Sequence, residues 1–168
     1  MLPTKLYLDL NLYCRAFNDQ TQPRLRREAR AVDVILRRAQ GKLYDIYWSY
    51  ALHIENLANP NVIERRMVLY QVTFCCQSIL PHPDIDTLAD QIRTLSTIQG
   101  YDAEHISCAE LVSCDYLLTG DDQLLRRFNR LNAQGTLSVN IVLQNPVDFL
   151  MIQSQEESNH ERSEPRTN

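Results

Sequence analysis

The segment LYLDLN, residues 6–11, decides how the rest of the chain can fold. Its apolar residues Leu6, Tyr7 and Leu8 form a short run, and the polar residues Asp9 and Asn11 follow at once. A short run of aliphatic and aromatic residues is typical of a buried strand. The sequence therefore predicts an early strand that ends in a carboxylate.

A second strand of the same kind is predicted just before residue 120. Residues 116–118 are apolar, Thr119-Gly120-Asp121 follows them, and a helical pattern then begins. In open parallel sheets, ligands bind in the crevice beyond the carboxyl ends of the strands. We therefore expect Asp9 and Asp121 to lie at the same edge of one sheet.

Helices and strands alternate along the rest of the chain. An amphipathic helix is predicted over residues 23–40, with Pro23 in its first turn and Gly41 directly after it. Further strands are predicted over residues 43–48 and 139–143, and further helices around Glu55, along the apolar residues Ile63, Met67, Tyr70 and Phe74, over residues 85–95 with Asp84 as a cap, and over residues 101–114. This alternation predicts an α/β domain with a mostly parallel sheet of four to five strands and helices on both faces.

The length and composition fit one domain. The chain has 168 residues, of which 44% are hydrophobic and 23% are charged, as in an ordinary globular protein. Residues 153–168 contain no aliphatic or aromatic side chain, so they cannot bury enough surface to offset the entropy of ordering. We expect a domain over residues 1–152 and a polar, disordered tail over residues 153–168.

The sequence predicts a cytoplasmic protein with no membrane partner. Lys5 and Asp9 stand where a secretion signal needs an apolar core, and no apolar stretch is long enough to span a bilayer. The five cysteines have neither Cys-x-x-Cys spacing nor histidines at zinc spacing; they are Cys14, Cys75, Cys76, Cys108 and Cys114. We therefore expect reduced, mostly buried thiols and no structural zinc.

Positive charge is concentrated in one segment although the net charge is -4. Residues 24–42 carry seven basic side chains against Glu28 and Asp33, which leaves the rest of the chain strongly acidic. The basic residues are Arg24, Arg26, Arg27, Arg30, Arg37, Arg38 and Lys42. Such asymmetry permits a patch that faces phosphates, and the simpler alternative is a solvated helix face.

Four acidic residues stand where predicted elements begin or end: Asp9, Glu55, Asp102 and Asp121. Carboxylates gathered at one edge of a sheet raise one another's pKa unless a cation neutralises them. Oxygen ligands without histidine or cysteine favour Mg²⁺ or Mn²⁺ over zinc. Such an ion polarises a phosphoryl oxygen and activates water, so hydrolysis of phosphodiesters is the expected chemistry.

Each acid also has a simpler explanation. Asp102 and Asp121 could cap the helices that follow them. Glu55 could be an exposed helix residue, and Asp9 could be a loop residue. The alternatives are weakened by the number of acids that the predicted fold brings to one edge.

Other α/β functions are excluded by particular residues. A dinucleotide site needs a Gly-x-Gly-x-x-Gly motif after the first strand, where this chain has Asp9 to Tyr13. A phosphate-binding Gly-x-x-x-x-Gly-Lys-Ser/Thr loop is also missing from the sequence. An aspartyl-phosphate phosphatase needs a second aspartate where Asn11 stands.

Taken in order, these motifs resemble the PIN-domain family of small metal-dependent nucleases. The resemblance covers about residues 4–150. It rests on residues 6–11, on Ser49 through Glu55, on Asp102-Ala103-Glu104-His105 at a helix start, and on Thr119-Gly120-Asp121 after a strand. It implies a PIN-like fold with Asp9, Glu55, Asp102 and Asp121 as catalytic residues around Mg²⁺ or Mn²⁺.

The resemblance also implies roles for neighbouring residues. Asn11 and Thr119 would hold the carboxylates in place. Asp122 is an alternative to Asp121, which is favoured because Thr-x-Asp is the family spacing. The sequence offers Arg15, Arg126 and Arg127 as RNA contacts. Tyr13 and Arg130 are further candidates for RNA contact. His53 and His105 are possible general bases, but metal-activated water needs no histidine, so a direct catalytic role is not expected for either.

The expected function is a metal-dependent endoribonuclease that hydrolyses RNA and leaves a 5′-phosphate. Similarity to VapC-type toxins implies an antitoxin partner and a homodimer. The alternative is a non-catalytic PIN-fold module that binds RNA or protein. Its weakness is that none of the four acids is missing from the sequence.

Overall fold

The protein is built around a five-stranded sheet in which all strands run parallel. A computed structural model describes residues 2–74, 77–135 and 137–163, with side chains as far as residue 156. The strands are β1 (Thr4–Leu8), β2 (Tyr44–Ser49), β3 (Gln77–Ile79), β4 (Tyr116–Leu118) and β5 (Val142–Gln144), in the spatial order β3-β2-β1-β4-β5. The predicted α/β class and parallel sheet are confirmed.

Helices connect the strands and flank the sheet. Within the described residues they are α1 (Leu10–Tyr13), a 3₁₀ turn at Arg15–Phe17, α2 (Pro23–Gln40), α3 (Tyr50–Ala58), α4 (Val62–Val72), α5 (Pro83–Leu95), α6 (Tyr101–Leu111), α7 (Asp122–Ala133) and α8 (Pro146–Ser163). The helix predicted over residues 23–40 is found with those bounds. Its Pro23 lies at the first helical position, where a missing N–H leaves no hydrogen bond unmade.

Strand β1 lies at the centre of the sheet and sets the register of its neighbours. It pairs with β2 from Thr4 opposite Tyr44, and with β4 from Leu6 opposite Tyr116 to Leu8 opposite Leu118. The central strands are buried on both sides, as parallel strands covered by helices require. Because β1 and β4 run parallel and end in register, the residues that follow them meet at one edge.

Strand β3 was not predicted from the sequence. It has only three residues, and two of them, Gln77 and Ser78, are polar and exposed. Its third residue, Ile79, is buried and pairs with Ser49 of β2. A strand of three residues with one buried side chain is too short to show an alternation of apolar and polar residues. It becomes a strand because it pairs with β2.

The two helices that follow are confirmed, but the predicted cap of the second helix was wrong. Helix α4 exists, but Ile63 and Tyr70 of its predicted apolar stripe are 73% and 64% exposed, and the buried residue is Val68. Helix α5 is capped by His82, whose Nδ1 accepts a hydrogen bond from the Asp84 backbone N–H, and Asp84 lies in the first turn. Periodicity located both helices without showing which neighbours they would pack against.

Helix α8 runs from Pro146 to Ser163 and therefore enters the segment expected to be a polar tail. Its first part packs on the domain through the buried Phe149. Glutamate and glutamine are good helix formers, so a polar segment can continue a helix that begins on the core. Residues 164–168 lie outside the described residues, and a boundary at residue 152 stays a prediction. No described helix is long and apolar enough to cross a membrane.

The described cysteines are thiols without disulfides. Cys108 and Cys114 are buried, and Cys14 is partly buried. Burial raises the pKa of the Cys108 thiol to about 12, which keeps it protonated and unreactive. Cys75 and Cys76, which are also expected to be reduced thiols, lie outside the described residues.

We expect Ile92→Ala to destabilise the protein by about 3 kcal/mol, because it opens a cavity against the core. Ile92 is fully buried on α5, and Leu95 on the same helix is 44% exposed. Leu95→Ala is the matched control, with an expected loss below about 1 kcal/mol. Urea unfolding measures both values. Equal losses would contradict the orientation of α5.

Candidate metal centre

The carboxylate of Asp9 lies at the edge where β1 and β4 end. Its backbone N–H donates to the carbonyl of Leu118 at 2.9 Å, which continues the β1–β4 pairing by one residue. Its side chain is buried, and its Oδ2 accepts hydrogen bonds from the Thr119 hydroxyl at 2.6 Å and from the Asn11 amide. These donors hold one oxygen of Asp9 in a fixed position.

Thr119 and Asn11 also shape the loop that follows β4. The Thr119 hydroxyl accepts hydrogen bonds from the Asn11 amide and from the Asp121 backbone N–H, both at 3.1 Å. The Asn11 side-chain oxygen accepts from the Gly120 N–H at 3.1 Å. Both residues predicted to support the carboxylates thus lie against Asp9, and their role around a metal ion stays a prediction.

Glu55 reaches the same edge from helix α3. The helix begins at Ser49, whose hydroxyl accepts the Leu52 N–H at 3.1 Å, the cap expected from the sequence. Glu55 lies one turn further on, and its Oε2 is 2.9 Å from Nε2 of His105. The Glu55 side chain is 33% exposed, so it can reach both solvent and the site.

His105 is buried beside Asp9 and Glu55. One potential ligand atom from each of these three residues lies within 4.8 Å of the others. His105 follows Asp102 by three residues on α6, and this spacing puts two side chains on one helix face. The spacing between Asp102 and His105 is the sequence signal that places His105 at the site. From the sequence, His105 is considered only as a possible general base.

Asp102 stands in the first turn of α6 and is partly buried. The helix has Gly100 at its cap position and no side-chain cap, so the capping explanation of Asp102 is wrong. Burial raises the pKa of Asp102 to about 6, with a further contribution from the charge of Asp9. Smaller contributions come from Asp121 and Glu55, and His105 opposes them. Asp102 therefore shares its electrostatic environment with the other three acids.

Asp121 lies at the end of β4 and caps α7. Its Oδ1 accepts the backbone N–H groups of Gln123 at 2.7 Å and Leu124 at 3.2 Å. The capping explanation thus holds for Asp121, although a carboxylate has a second oxygen for another partner. Its neighbour Asp122 is bound by the Arg24 guanidinium at 2.5 and 2.8 Å, and this hydrogen bonding lowers the pKa of Asp122. This bidentate contact favours Asp121 over Asp122 as the residue available to the site.

A buried network of ion pairs supports the loop that follows β4. This network was not predicted from the sequence. Glu28 of α2 is 1% exposed and accepts Nε of Arg15 at 2.5 Å, Nε of Arg24 at 2.9 Å and the Asn145 amide at 3.0 Å. The Arg24 guanidinium also donates to the Gly120 carbonyl at 2.8 Å. A Cβ at position 120 would collide with the Arg15 guanidinium, so any larger residue there would have to displace Arg15 from its contact with Glu28.

The three arginines expected to contact RNA have different surroundings. The side chain of Arg15 is 16% exposed and is paired with Glu28, an arrangement that gives it a structural role. Arg126 is exposed on α7, and Arg127 donates to the Gln123 side chain at 3.3 Å on the same helix. RNA contact by all three stays a prediction, and Arg126 is the most accessible of them.

The residues at this edge fit a hard divalent cation. Burial raises the pKa of Asp9, while the charge of His105 and the hydrogen bond from Thr119 lower it. Burial lowers the pKa of His105, but the hydrogen bond to Glu55 and the charge of Asp9 outweigh it, so that pKa is raised. Carboxylates held close together without full compensation are the arrangement that Mg²⁺ or Mn²⁺ stabilises.

The topology and the acidic edge define a PIN-like fold, and comparison with solved structures confirms it. The chain is similar to a chain in the crystal structure of VapBC2 from Rickettsia felis bound to a DNA fragment from their promoter. The TM-score is 0.56 at 14% identity, over 84% of this chain and 98% of that chain. No protein-family model and no curated protein matches the sequence. At this identity the similarity establishes the fold alone.

We expect Asp102→Asn to stabilise the metal-free protein at neutral pH. In the unfolded chain Asp102 loses its proton near pH 3.8, whereas in the folded protein it keeps the proton until about pH 6. The folded state binds more protons in this window, so stability falls as pH rises from about 4 to about 6 and then levels off.

Unfolding in urea with EDTA across this pH range measures the effect. The variant should be as stable as wild type near pH 4 and more stable above pH 6, by up to about 2 kcal/mol after allowance for the partial exposure of Asp102. Asp33→Asn is the control for loss of a surface charge, because the Asp33 side chain is 59% exposed. A difference that did not change with pH would contradict the raised pKa.

Proposed function

We propose that this protein is a Mg²⁺- or Mn²⁺-dependent endoribonuclease that hydrolyses RNA phosphodiesters. The observation that supports this most strongly is the convergence of Asp9 and Glu55, which together with His105 place potential ligand atoms within 4.8 Å of one another. The charges of Asp9, Asp121 and Glu55 also act on the nearby Asp102 and help to raise its pKa. These acids come from four separate segments of the chain. Their proximity at one edge of the sheet does not stabilise the fold, because like charges repel.

In this proposal Asp9, Glu55, Asp102 and Asp121 hold the cation. The bound ion supplies Lewis acidity: it polarises the scissile phosphoryl group, activates water and stabilises the leaving oxygen. Thr119 and Asn11 fix Asp9 by their hydrogen bonds, so the carboxylate does not have to reorganise when the ion binds. Asp121 continues to cap α7 through Oδ1 and offers its other oxygen.

The RNA backbone would approach along helix α7. Arg126 is exposed on this helix, within two turns of Asp121, and Arg127 lies beside it. Phosphate contacts of this kind position a strand without reading its sequence. The proposed substrate is RNA, and these two arginines would not determine the sequence at which it is cleaved.

The alternative of a non-catalytic RNA-binding module has less support. It relied on the basic segment of α2, and several of those side chains are engaged within the protein. Arg24 binds Glu28 and Asp122, and Arg37 binds Asp33. Arg38 donates to the Tyr44 hydroxyl at 2.9 Å. The remaining positive charge of the segment belongs to Arg26, Arg27 and Arg30 on α2 and to Lys42, which follows the helix.

We expect purified protein to cleave single-stranded RNA in the presence of Mn²⁺ or Mg²⁺, and Asp9→Asn to reduce the rate at least about 100-fold. The variant removes a charge that holds the ion, and an ion of this kind contributes several kcal/mol to the transition state. Gel analysis of an end-labelled RNA measures the rate and the 5′-phosphate product. Asp33→Asn is the control, since its side chain is mostly exposed and is paired with Arg37 on the same helix.

Mn²⁺ should also raise the melting temperature of wild type, since a bound ion stabilises by about 2.7 kcal/mol at 100 times its dissociation constant. Asp9→Asn should lose most of this gain. No cleavage with any divalent ion, or equal rates for wild type and Asp9→Asn, would refute the nuclease. Absence of the thermal shift together with RNA binding that survives Asp9→Asn would favour the module.

We also propose that a protein partner, an antitoxin, binds the groove between α2 and α4. The groove has a volume of about 360 Å³ and is lined largely by apolar side chains, among them Phe17, Leu36, Met67, Tyr70 and Phe74. Tyr70 and Met67 are exposed although they are large and apolar. The similar VapBC2 structure is itself a complex. Co-expression with the product of an adjacent upstream reading frame, followed by co-purification, tests this proposal.

The expected homodimer would use the exposed apolar residues of α3 and α4. Ile54, Leu57 and Ile63 are each about half exposed or more. Light scattering should give twice the mass of the chain, which is 19.5 kDa, and Ile63→Glu should shift the protein to monomer. Val34→Glu, an exposed apolar residue on α2, is the control. A wild-type monomer at high concentration would contradict the dimer and leave the nuclease unaffected.

A further inference from the structure

His105 occupies the centre of a buried hydrogen-bonded chain that ends at Glu55. We propose that His105 is a positioning residue, held by Tyr7 and Ser49, which fixes the Glu55 carboxylate and thereby sets the affinity of the site for a divalent cation. The inference rests on the proposed metal site and concerns a residue outside the four acids. It predicts a measurable effect on metal binding that does not require RNA.

The hydrogen bonds form a closed loop through the fold. Nε2 of His105 is 2.9 Å from Oε2 of Glu55, and Nδ1 is 2.8 Å from the Tyr7 hydroxyl. The Tyr7 hydroxyl is in turn 2.6 Å from Oγ of Ser49. Ser49 caps helix α3, the helix that carries Glu55. The position of Glu55 is therefore set twice, by the start of its helix and by the histidine.

Burial makes this arrangement rigid. Tyr7 and Ser49 are fully buried, and His105 is 1% exposed, so water cannot replace the bonds among them. The His105 ring also stacks on Tyr101, with ring centroids 6.2 Å apart and planes 22° apart. Glu55 is the one partly exposed member of the chain, and its side chain would sample several rotamers without this support.

The geometry favours positioning over two other roles for His105. A histidine that donates from Nε2 to a carboxylate has no lone pair at that nitrogen for a metal ion. Its other nitrogen faces Tyr7 in the core and cannot reach a water molecule at the site. Both ring nitrogens are thus used inside the protein, as is usual for groups that orient metal ligands.

The first test is the affinity for Mn²⁺ alone, measured by electron paramagnetic resonance of the free ion. His105→Phe keeps a ring and removes both nitrogens, and we expect its dissociation constant to rise about 10- to 100-fold. His53→Phe is the matched control, because His53 lies on α3, the helix of Glu55, and is exposed; its affinity should equal that of wild type. His105→Gln retains an amide donor for Glu55 and should recover part of the loss.

The second test asks whether His105 acts through Glu55. In a double-mutant cycle, His105→Phe should weaken Mn²⁺ binding by less than about twofold once Glu55→Gln is present. A residue that supported only the fold would weaken binding equally in both backgrounds. Tyr7→Phe removes the hydroxyl that orients the ring and should give a smaller effect in the same direction as His105→Phe.

Several results would overturn the inference. The inference is wrong if His105→Phe binds Mn²⁺ as tightly as wild type, or if its effect adds fully to that of Glu55→Gln. Electron spin echo spectra of Mn²⁺ on the wild-type protein would overturn it by showing a directly coordinated imidazole nitrogen, which would make His105 a ligand. If His105→Phe does not fold, judged by its melting curve, Tyr7→Phe and His105→Gln carry the same comparison.

The inference and the proposed function fail in different ways. Tight Mn²⁺ binding that depends on His105, without RNA cleavage, would refute the nuclease and support the positioning role. RNA cleavage that depends on Asp9, together with a Mn²⁺ affinity that does not change in His105→Phe, would support the nuclease and refute the positioning role. A wild-type protein that bound no Mn²⁺ would refute both.

Discussion

The burial of the Asp9 carboxylate is the constraint on which the site depends. A buried charge must find hydrogen bonds or a cation, because its loss of water is otherwise strongly unfavourable. The sheet fixes the backbone of Asp9, because Asp9 directly follows the central strand β1 and its N–H still pairs with β4. Thr119 and Asn11 donate hydrogen bonds to the Asp9 carboxylate. The same two side chains accept the backbone N–H groups of Asp121 and Gly120 and so fix that part of the backbone. The geometry of the loop after β4 is thus a consequence of satisfying Asp9.

The ion network around Glu28 holds the same loop from the other side. Arg24 connects helix α2 to Gly120 and Asp122, and Arg15 connects the segment after α1 to Glu28. A single buried glutamate would be strongly destabilising, and two arginines with an amide make it tolerable. Part of the positive charge of residues 24–42 is therefore structural.

The sequence could predict those features that depend on local pattern. Strand β1, helix α2 and the positions of Asp9 and Asp121 after parallel strands follow from short-range periodicity and from the rule that such strands end together. The exposed stripe of α4 and the short strand β3 could not be predicted in the same way, because neighbours distant in sequence decide which face is buried. The role of His105 depends on Tyr7, 98 positions away, and that partner is visible only in three dimensions.

The site opposes stability in the absence of a cation. Burial raises the pKa of Asp9 and of Asp102, so ionisation of these carboxyl groups is less favourable in the folded protein than in the unfolded chain. Protons compete with a cation for these carboxylates, and the affinity of the cation therefore falls as the solution becomes acidic. Thr119, Asn11 and His105 keep Asp9 and Glu55 in place whether or not the charge is neutralised. Because the supporting hydrogen bonds are formed in advance, little of the binding energy of an ion is spent on arranging its ligands.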